Sequence, residues 1–180
     1  MEKVFDLQPE LENELVKIRP LKQEDFEALF AVASDPLIWE QHPEKDRYKK
    51  EVFRRFFDGA MESKGAFLVF DNQTAKPIGS SRFYQLDNEP GIVLIGYTFI
   101  ERAYWGTQTN KSLKSLMLEY VFRFRDQVIF QIGAGNIRSQ KAVEKLGAIK
   151  TEEKEIHDPT GKTVKHYVYR LFKDKSNLTL

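Results

Sequence analysis

Between Ile92 and Ile132 the spacing of apolar residues changes from a strand's to a helix's and back again. Ile92 to Ile100 reads as a strand, Leu113, Leu116, Met117, Tyr120, Val121 and Phe124 recur at helical spacing, and Val128 to Ile132 is a strand once more. A helix that joins two strands of one sheet returns the chain to the end at which the first strand began. The two strands therefore run parallel. That requirement fixes the class as α/β (α+β).

The rest of the chain adds antiparallel elements to this unit. Leu15 to Ile18 alternates apolar and basic residues as a half-buried strand does, until Arg19-Pro20 breaks it. Phe26, Leu29, Phe30 and Ala33 mark a helix stopped at Ser34-Asp35-Pro36, and Val52, Phe53, Phe56, Phe57, Ala60 and Met61 mark a second from about Tyr48 to Ser63. Ala66 to Phe70 and Ile78 to Tyr84 then lead into Ile92 to Ile100 through the turn-rich Asp71-Asn72 and Asp87-Asn88-Glu89-Pro90-Gly91, which predicts an antiparallel meander. A short helix from Ser139 to Leu146 ends at Gly147, and two last strands flank His157 to Gly161. The predicted order is βααβββαβαββ. No repeat or linker divides it, so residues 1–172 form one domain and 173–180 a polar tail.

Composition narrows the function. A chain of 180 residues buries roughly 70% of its unfolded surface, enough for one core. Its 28 Lys+Arg against 27 Asp+Glu leave a net charge of +1, without the concentrated positive field that nonspecific nucleic-acid binding uses. Having no cysteine, it can hold no disulfide, thiolate metal site or cysteine nucleophile. No run approaches the ~20 apolar residues of a membrane span, and Met1 to Leu7 has no leader-like apolar core, so a cytoplasmic protein is expected.

Two segments carry chemistry. Trp105-Gly106-Thr107-Gln108-Thr109-Asn110-Lys111 lies between a strand and a helix that begins near Asn110. Unpaired backbone amides and the positive end of the helix dipole suit a diphosphate there, with Gly106 allowing close approach, Thr107 and Thr109 supplying hydroxyls and Lys111 supplying charge. An ordinary turn capped by Thr109 or Asn110 fits as well. The second segment, Asn136 to Gly147, opens another helix directly after Gly133-Ala134-Gly135, where Asn136 or Ser139 can serve as a cap.

Taken together, Ile95-Gly96-Tyr97 on a strand, Tyr104-Trp105-Gly106 before a helix and Asn136-x-x-Ser139 leading to Glu144-Lys145-Leu146-Gly147-Ala148 resemble the GNAT superfamily of N-acetyltransferases. The nearest branch is the ribosomal-protein N-terminal acetyltransferases, and the likeness runs from Leu15 to Phe172. It implies a mixed, mostly antiparallel central sheet with a V-shaped split, flanked by helices on both faces. It implies further that acetyl-CoA donates an acetyl group to a primary amine, a protein N-terminus or a small molecule, by direct transfer through a tetrahedral intermediate. On this likeness the diphosphate sits at the turn of Gly106, the pantetheine lies along Phe99, Ile100 and Glu101, Asn136 orients the cofactor and Ser139 protonates the departing thiolate. A strand amide near Phe99 stabilises the oxyanion.

The chain departs from the family's pattern at three positions. Ala103 stands where the phosphate turn has Gln or Arg, Gln108 where it has a second small residue, and Leu94 where many relatives carry a carboxylate. Without that carboxylate, a low-pKa acceptor is favoured: deprotonating a lysine amine at pH 7 costs roughly 4–5 kcal/mol, an α-amine only about 1–1.5. The loop Trp39-Glu40-Gln41-His42-Pro43 falls where the acceptor wall is expected, with His42 or Glu40 as alternative bases and Arg82 as a further acceptor contact. An exposed turn anchored by Trp39 is the plain alternative. His157 and His166 lack metal-ligand company, so no metal is expected. Phe53, Phe56 and Phe57 fit core packing, and Glu44-Lys45-Asp46-Arg47 a solvated turn. A catalytically weak acyl-CoA sensor of the same fold and an enzyme for longer acyl groups are the remaining readings, as monomer or homodimer.

Overall fold

The computed structural model of the chain describes residues 4–89, 91–158 and 160–178. Its principal elements are β1 (Leu11–Glu12), β2 (Val16–Pro20), α1 (Phe26–Ala33), α2 (Lys50–Glu62), β3 (Ala66–Asp71), β4 (Pro77–Tyr84) and β5 (Val93–Ile100). There follow α3 (Thr109–Val121), β6 (Gln127–Gly133), α4 (Ile137–Lys145), β7 (Ile149–His157) and β8 (Thr163–Phe172). The strands make one mixed sheet in the order β1-β2-β3-β4-β5-β6-β8-β7. Every neighbouring pair is antiparallel except β5 and β6, which are parallel as the period change requires.

Each face of the sheet carries its own apolar layer. Ala66 and Leu68 pack with Phe26, Leu29, Phe53 and Phe57 of α1 and α2, whereas Phe67 and Val69 pack with Leu113, Met117 and Val121 of α3 and Val143 of α4. Successive residues of a strand point to opposite faces, so β3 has to be apolar throughout. This explains the unbroken run Ala66-Phe67-Leu68-Val69-Phe70.

Several boundaries differ from those read in the sequence. β2 continues through Arg19-Pro20 instead of breaking there. Leu21 donates its amide to Ala66, so by alternation Pro20 turns its missing N–H toward the open edge beyond the short β1, where a ladder loses nothing. Helix α3 stops at Val121 although Phe124 extends the apolar stripe, and α4 starts at Ile137 because Asn136, rather than Ser139, caps it. The segment read as a tail packs in part against α4: Asn177 donates its amide to Leu146 and its side chain to Lys145.

Trp39 ties the interhelical loop to the sheet. It is 0% exposed, donates its indole N–H to the Ala33 carbonyl at 2.8 Å and meets the Phe99 ring at 4.8 Å. Beyond it, Pro43 lies so close to Gly133 that a Cβ on that glycine would come within 2.8 Å of the proline ring. The loop is thereby held against the ends of both β5 and β6. Truncating Trp39 to alanine is expected to lower stability by about 4 kcal/mol in urea titrations; a loss below about 1 kcal/mol would show that the ring is not a structural anchor.

Candidate functional site

β5 and β6 pair only at Val93↔Val128 and Leu94↔Ile129. Past that point β5 keeps its partner β4 and β6 keeps β8, but the two separate from each other. The opening between them is a crevice of about 830 Å³. One wall is β5 from Ile95 to Ile100, the other β6 from Phe130 to Gly133, and the turn at Gly106 and the starts of α3 and α4 close one end.

The backbone facing the gap follows from the ladder. Glu101 donates its amide to Ile78 on β4, so Phe99 also faces β4, while Thr98 and Ile100 turn their peptide groups toward the opening. The Ile100 carbonyl accepts the Trp105 indole N–H at 3.1 Å, which agrees with that orientation. The amides near Phe99 that are turned to the opening are therefore those of its two neighbours, not its own.

At the turn, Gly106 adopts φ +72, a conformation that disfavours side chains, whereas Gln108 sits at φ −76. The missing second small residue therefore creates no backbone conflict. The Thr107 hydroxyl donates to the Tyr104 carbonyl at 2.7 Å and accepts the Thr109 amide at 3.2 Å, so Thr107 does the capping read for Thr109 or Asn110. Neither the Gly106 nor the Gln108 amide donates to a described residue. Across the crevice Asn136 accepts the Ser139 amide at 3.2 Å, and the Arg138 guanidinium stacks 3.7 Å above Trp105.

Of the expected cofactor contacts, Phe99, Ile100, Trp105, Gly106, Thr107, Gln108, Asn110, Lys111, Asn136 and Ser139 line the crevice. Glu101 and Thr109 do not. The Glu101 carboxylate turns away to Lys76 at 2.9 Å, and Thr109 is buried in the first turn of α3. Among the expected acceptor contacts only His42 lines it. Trp39 is core, Glu40 is exposed outside the crevice, and Gln41 accepts the Arg138 amide at 3.0 Å. Burial, reinforced by the Arg47 and Arg138 cations, lowers the His42 pKa to about 3. Its imidazole is neutral at physiological pH and a feeble proton acceptor, which weighs against the general-base reading. Leu94 packs with Ile129 and Val168 and does not line the crevice, so no base could act from its side chain there.

The lining contains Arg47, Lys111, Lys114, Arg138, Lys141 and Lys145, and not one Asp or Glu. Lys114 was not singled out in the sequence. It is 6% exposed, has no ion-pair partner among the described residues, and donates to the Thr98 hydroxyl at 2.5 Å. Burial lowers its pKa to about 7. Its signal was available: Lys114 falls on the same helical stripe as Met117 and Val121, where an apolar residue belongs. Among the described residues there is no cluster of three metal-ligating side chains and no helix long and apolar enough to cross a membrane.

The Acetyltransferase (GNAT) domain family matches residues 16–149. An uncharacterized protein of Methanocaldococcus jannaschii is 29% identical over 147 residues, covering 79% of this chain; the chain spans only 30% of that relative's length. A GCN5-related N-acetyltransferase from Brucella melitensis superimposes with a TM-score of 0.79 at 20% identity, over 93% of this chain and 80% of its own. A spermidine N-acetyltransferase from Vibrio cholerae, solved with CoA and spermine, gives a TM-score of 0.67 at 14% identity, over 91% of this chain and 98% of its own. These likenesses extend to the fold.

The buried lysine makes stability depend on pH. Its folded pKa of about 7 lies below the 10.5 of the unfolded chain, so the unfolded state binds more protons throughout that window. The resulting penalty is absent above pH 10.5 and complete once the pH falls below about 7. Lys114→Met is expected to raise the melting temperature, and to raise it more at pH 6 than at pH 9. An equal shift at both would mean that the amine is not buried and uncompensated.

Proposed function

The chain belongs to the GNAT acetyltransferase family, and on that premise we propose that it moves an acetyl group directly from acetyl-CoA to a primary amine of low pKa, an α-amine at a protein N-terminus or on a small molecule. The observation that carries this reading is the crevice itself, which joins unpaired backbone amides, a helix N-terminus, five cations and the buried Lys114 amine without an opposing carboxylate.

Such a lining suits a polyanionic ligand with an extended amide-rich arm. In this reading Lys111, Lys141 and Lys145, which line the crevice, take the phosphate groups together with the Gly106 and Gln108 amides. Where β5 has left β6, the peptide groups of Thr98 and Ile100 are placed to pair with the arm and to hold a carbonyl oxygen. Acetyl-CoA, when bound, supplies an acetyl group activated as a thioester. Ser139, whose backbone amide the Asn136 side chain accepts, lines the crevice, and in this reading its Oγ holds a proton for the sulfur as it leaves.

The acceptor then has to arrive neutral with little help. No carboxylate lines the crevice, His42 is a weak base and the Lys114 amine is buried and turned to the Thr98 hydroxyl, so an amine near pKa 8 has an advantage of about 3 kcal/mol over a lysine side chain. This supports an α-amine, as the resemblance to the ribosomal-protein N-terminal branch also suggests. The same scarcity of bases gives the sensor reading its footing: a protein that binds acyl-CoA and turns it over only weakly.

Ser139→Ala is expected to lower kcat about 100-fold while leaving the calorimetric Kd for acetyl-CoA within about twofold, because the affected proton matters only as the sulfur departs. Lys111→Glu is expected to weaken that Kd at least about tenfold. Binding by the wild type without turnover of any α-amine would favour the sensor; unchanged turnover in Ser139→Ala would remove Ser139 from the mechanism.

A further inference from the structure

Arg82 on β4 holds a charge that the fold does not satisfy. It is 7% exposed, yet its guanidinium makes no hydrogen bond or ion pair with a described residue, and its Nε is buried without a partner. Its neighbours are the Tyr97 ring at 3.9 Å and the Phe56 ring at 5.9 Å. Aromatic faces attract a cation but supply no acceptor for its five N–H groups. A buried N–H group left without an acceptor is costly and calls for an explanation, of which a ligand that completes it is one.

Arg82 does not itself line the crevice: it stands behind the wall, against the Tyr97 ring, so an acceptor reaches it past that tyrosine. Tyr97, the ring it touches, lines the crevice and is 43% exposed. Tyr97 also adopts φ +54 at the irregularity where β4 and β5 lose register, a conformation that side-chain-bearing residues rarely hold. The strained bulge thus presents the tyrosine on the Arg82 face and sends Thr98 to the other, toward Lys114. The surroundings are positive as well. Arg47 stacks 4.6 Å from Phe56 and lines the same end of the crevice with His42, Tyr84 and Tyr97. Although Arg47 Nε is met by Glu44 at 3.1 Å, Glu44 does not line the crevice.

An acceptor that is a polycation finds no carboxylate in this end of the crevice, and one carrying an acid finds an arginine lacking one. We propose that the amine acceptor is anionic, with a carboxylate close to the reacting nitrogen, and that Arg82, assisted by Arg47, recognises that carboxylate. The inference rests on the acetyl-transfer reading and deepens it. Pairing the acid with Arg82 also keeps the carboxylate from stabilising the acceptor's own ammonium form, which suits a site without a strong base. Acetylation itself needs no further reactant: the amine nitrogen bonds to the acetyl carbon, the C–S bond breaks, and the proton lost from nitrogen ends on the CoA sulfur or in solvent.

The test compares matched amines differing only in the acid, with acetyl-CoA binding measured by calorimetry on the same enzyme preparations. One arm sets free glutamate against its α-carboxamide; the other sets Asp-Ala-Ala against Asn-Ala-Ala; spermidine is the polycation control. The expected result is a preference for the acid, in at least one arm, of about tenfold or more in kcat/KM, equivalent to about 1.4 kcal/mol. The arm in which it appears tells a free amino acid from an acidic N-terminus. Arg82→Gln is expected to abolish the preference and Arg82→Lys to restore part of it, with melting temperatures confirming that both variants fold. A preference for the amides or spermidine, equal rates within every pair, or a preference that survives Arg82→Gln would overturn the proposal; turnover of none of these amines despite intact acetyl-CoA binding would overturn it together with the acetyl-transfer reading, in favour of the sensor. Failure to bind acetyl-CoA would instead overturn the acetyl-transfer reading beneath it.

Discussion

Two residue pairs hold β5 to β6, and the function of the molecule turns on how few they are. A longer ladder would consume the peptide groups of Thr98 and Ile100 and leave no room between the strands. A shorter one would cut the sheet into two pieces without a common core. The separation is maintained from outside the sheet: Trp39 and Pro43 brace the ends of β5 and β6 on one face, and the Lys114 to Thr98 contact spans from α3 to β5 on the other. Backbone polarity that would be a liability in an ordinary sheet is kept available for a ligand.

Charge divides the crevice into two ends with different needs. Around Gly106 the cations are mostly on exposed side chains, where lysines cost little in water and gain when an anion arrives. Arg82 and Lys114 themselves are buried with no carboxylate partner among the described residues, whereas Arg47 beside them is met by Glu44. Carboxylates are plentiful elsewhere: Arg19 forms a two-pronged pair with Asp25, and Glu101 pairs with Lys76 just outside the opening. Their exclusion from a lining of five cations and the Lys114 amine leaves the crevice positive and without a carboxylate base. Both consequences limit what can be bound and what can react.

The fold was largely legible in the sequence because it is written in local periodicities. The switch of period between Ile92 and Ile132 identified the parallel pair, and the runs Ala66 to Phe70 and Ile78 to Tyr84 identified strands of the antiparallel meander. What escaped depended on partners distant in sequence. β1 has only two residues, too few to show a period, and Pro20 looked like a strand breaker because nothing in the sequence marks which edge its missing N–H faces. Trp39 read as a loop residue because its burial is created by Phe99, sixty positions on. Glu101 was expected to meet the cofactor through its backbone, and what the sequence could not show is that its amide is given to Ile78 on β4. Lys114 was hidden by the opposite fault, a polar residue inside an apolar stripe that passed as part of the helix.

The crevice as the seat of acetyl-CoA is the claim that supports the others, and backbone amide chemical shifts test it where it is most specific. Titrating acetyl-CoA into isotope-labelled protein is predicted to move the amides of Thr98, Ile100, Gly106 and Gln108, four positions on two separate segments, with a common saturation curve. The Phe99 amide, committed to β4, is predicted to move less than those of its two neighbours. Shifts confined to exposed lysines, or binding that leaves Thr98 and Ile100 in place, would contradict the account.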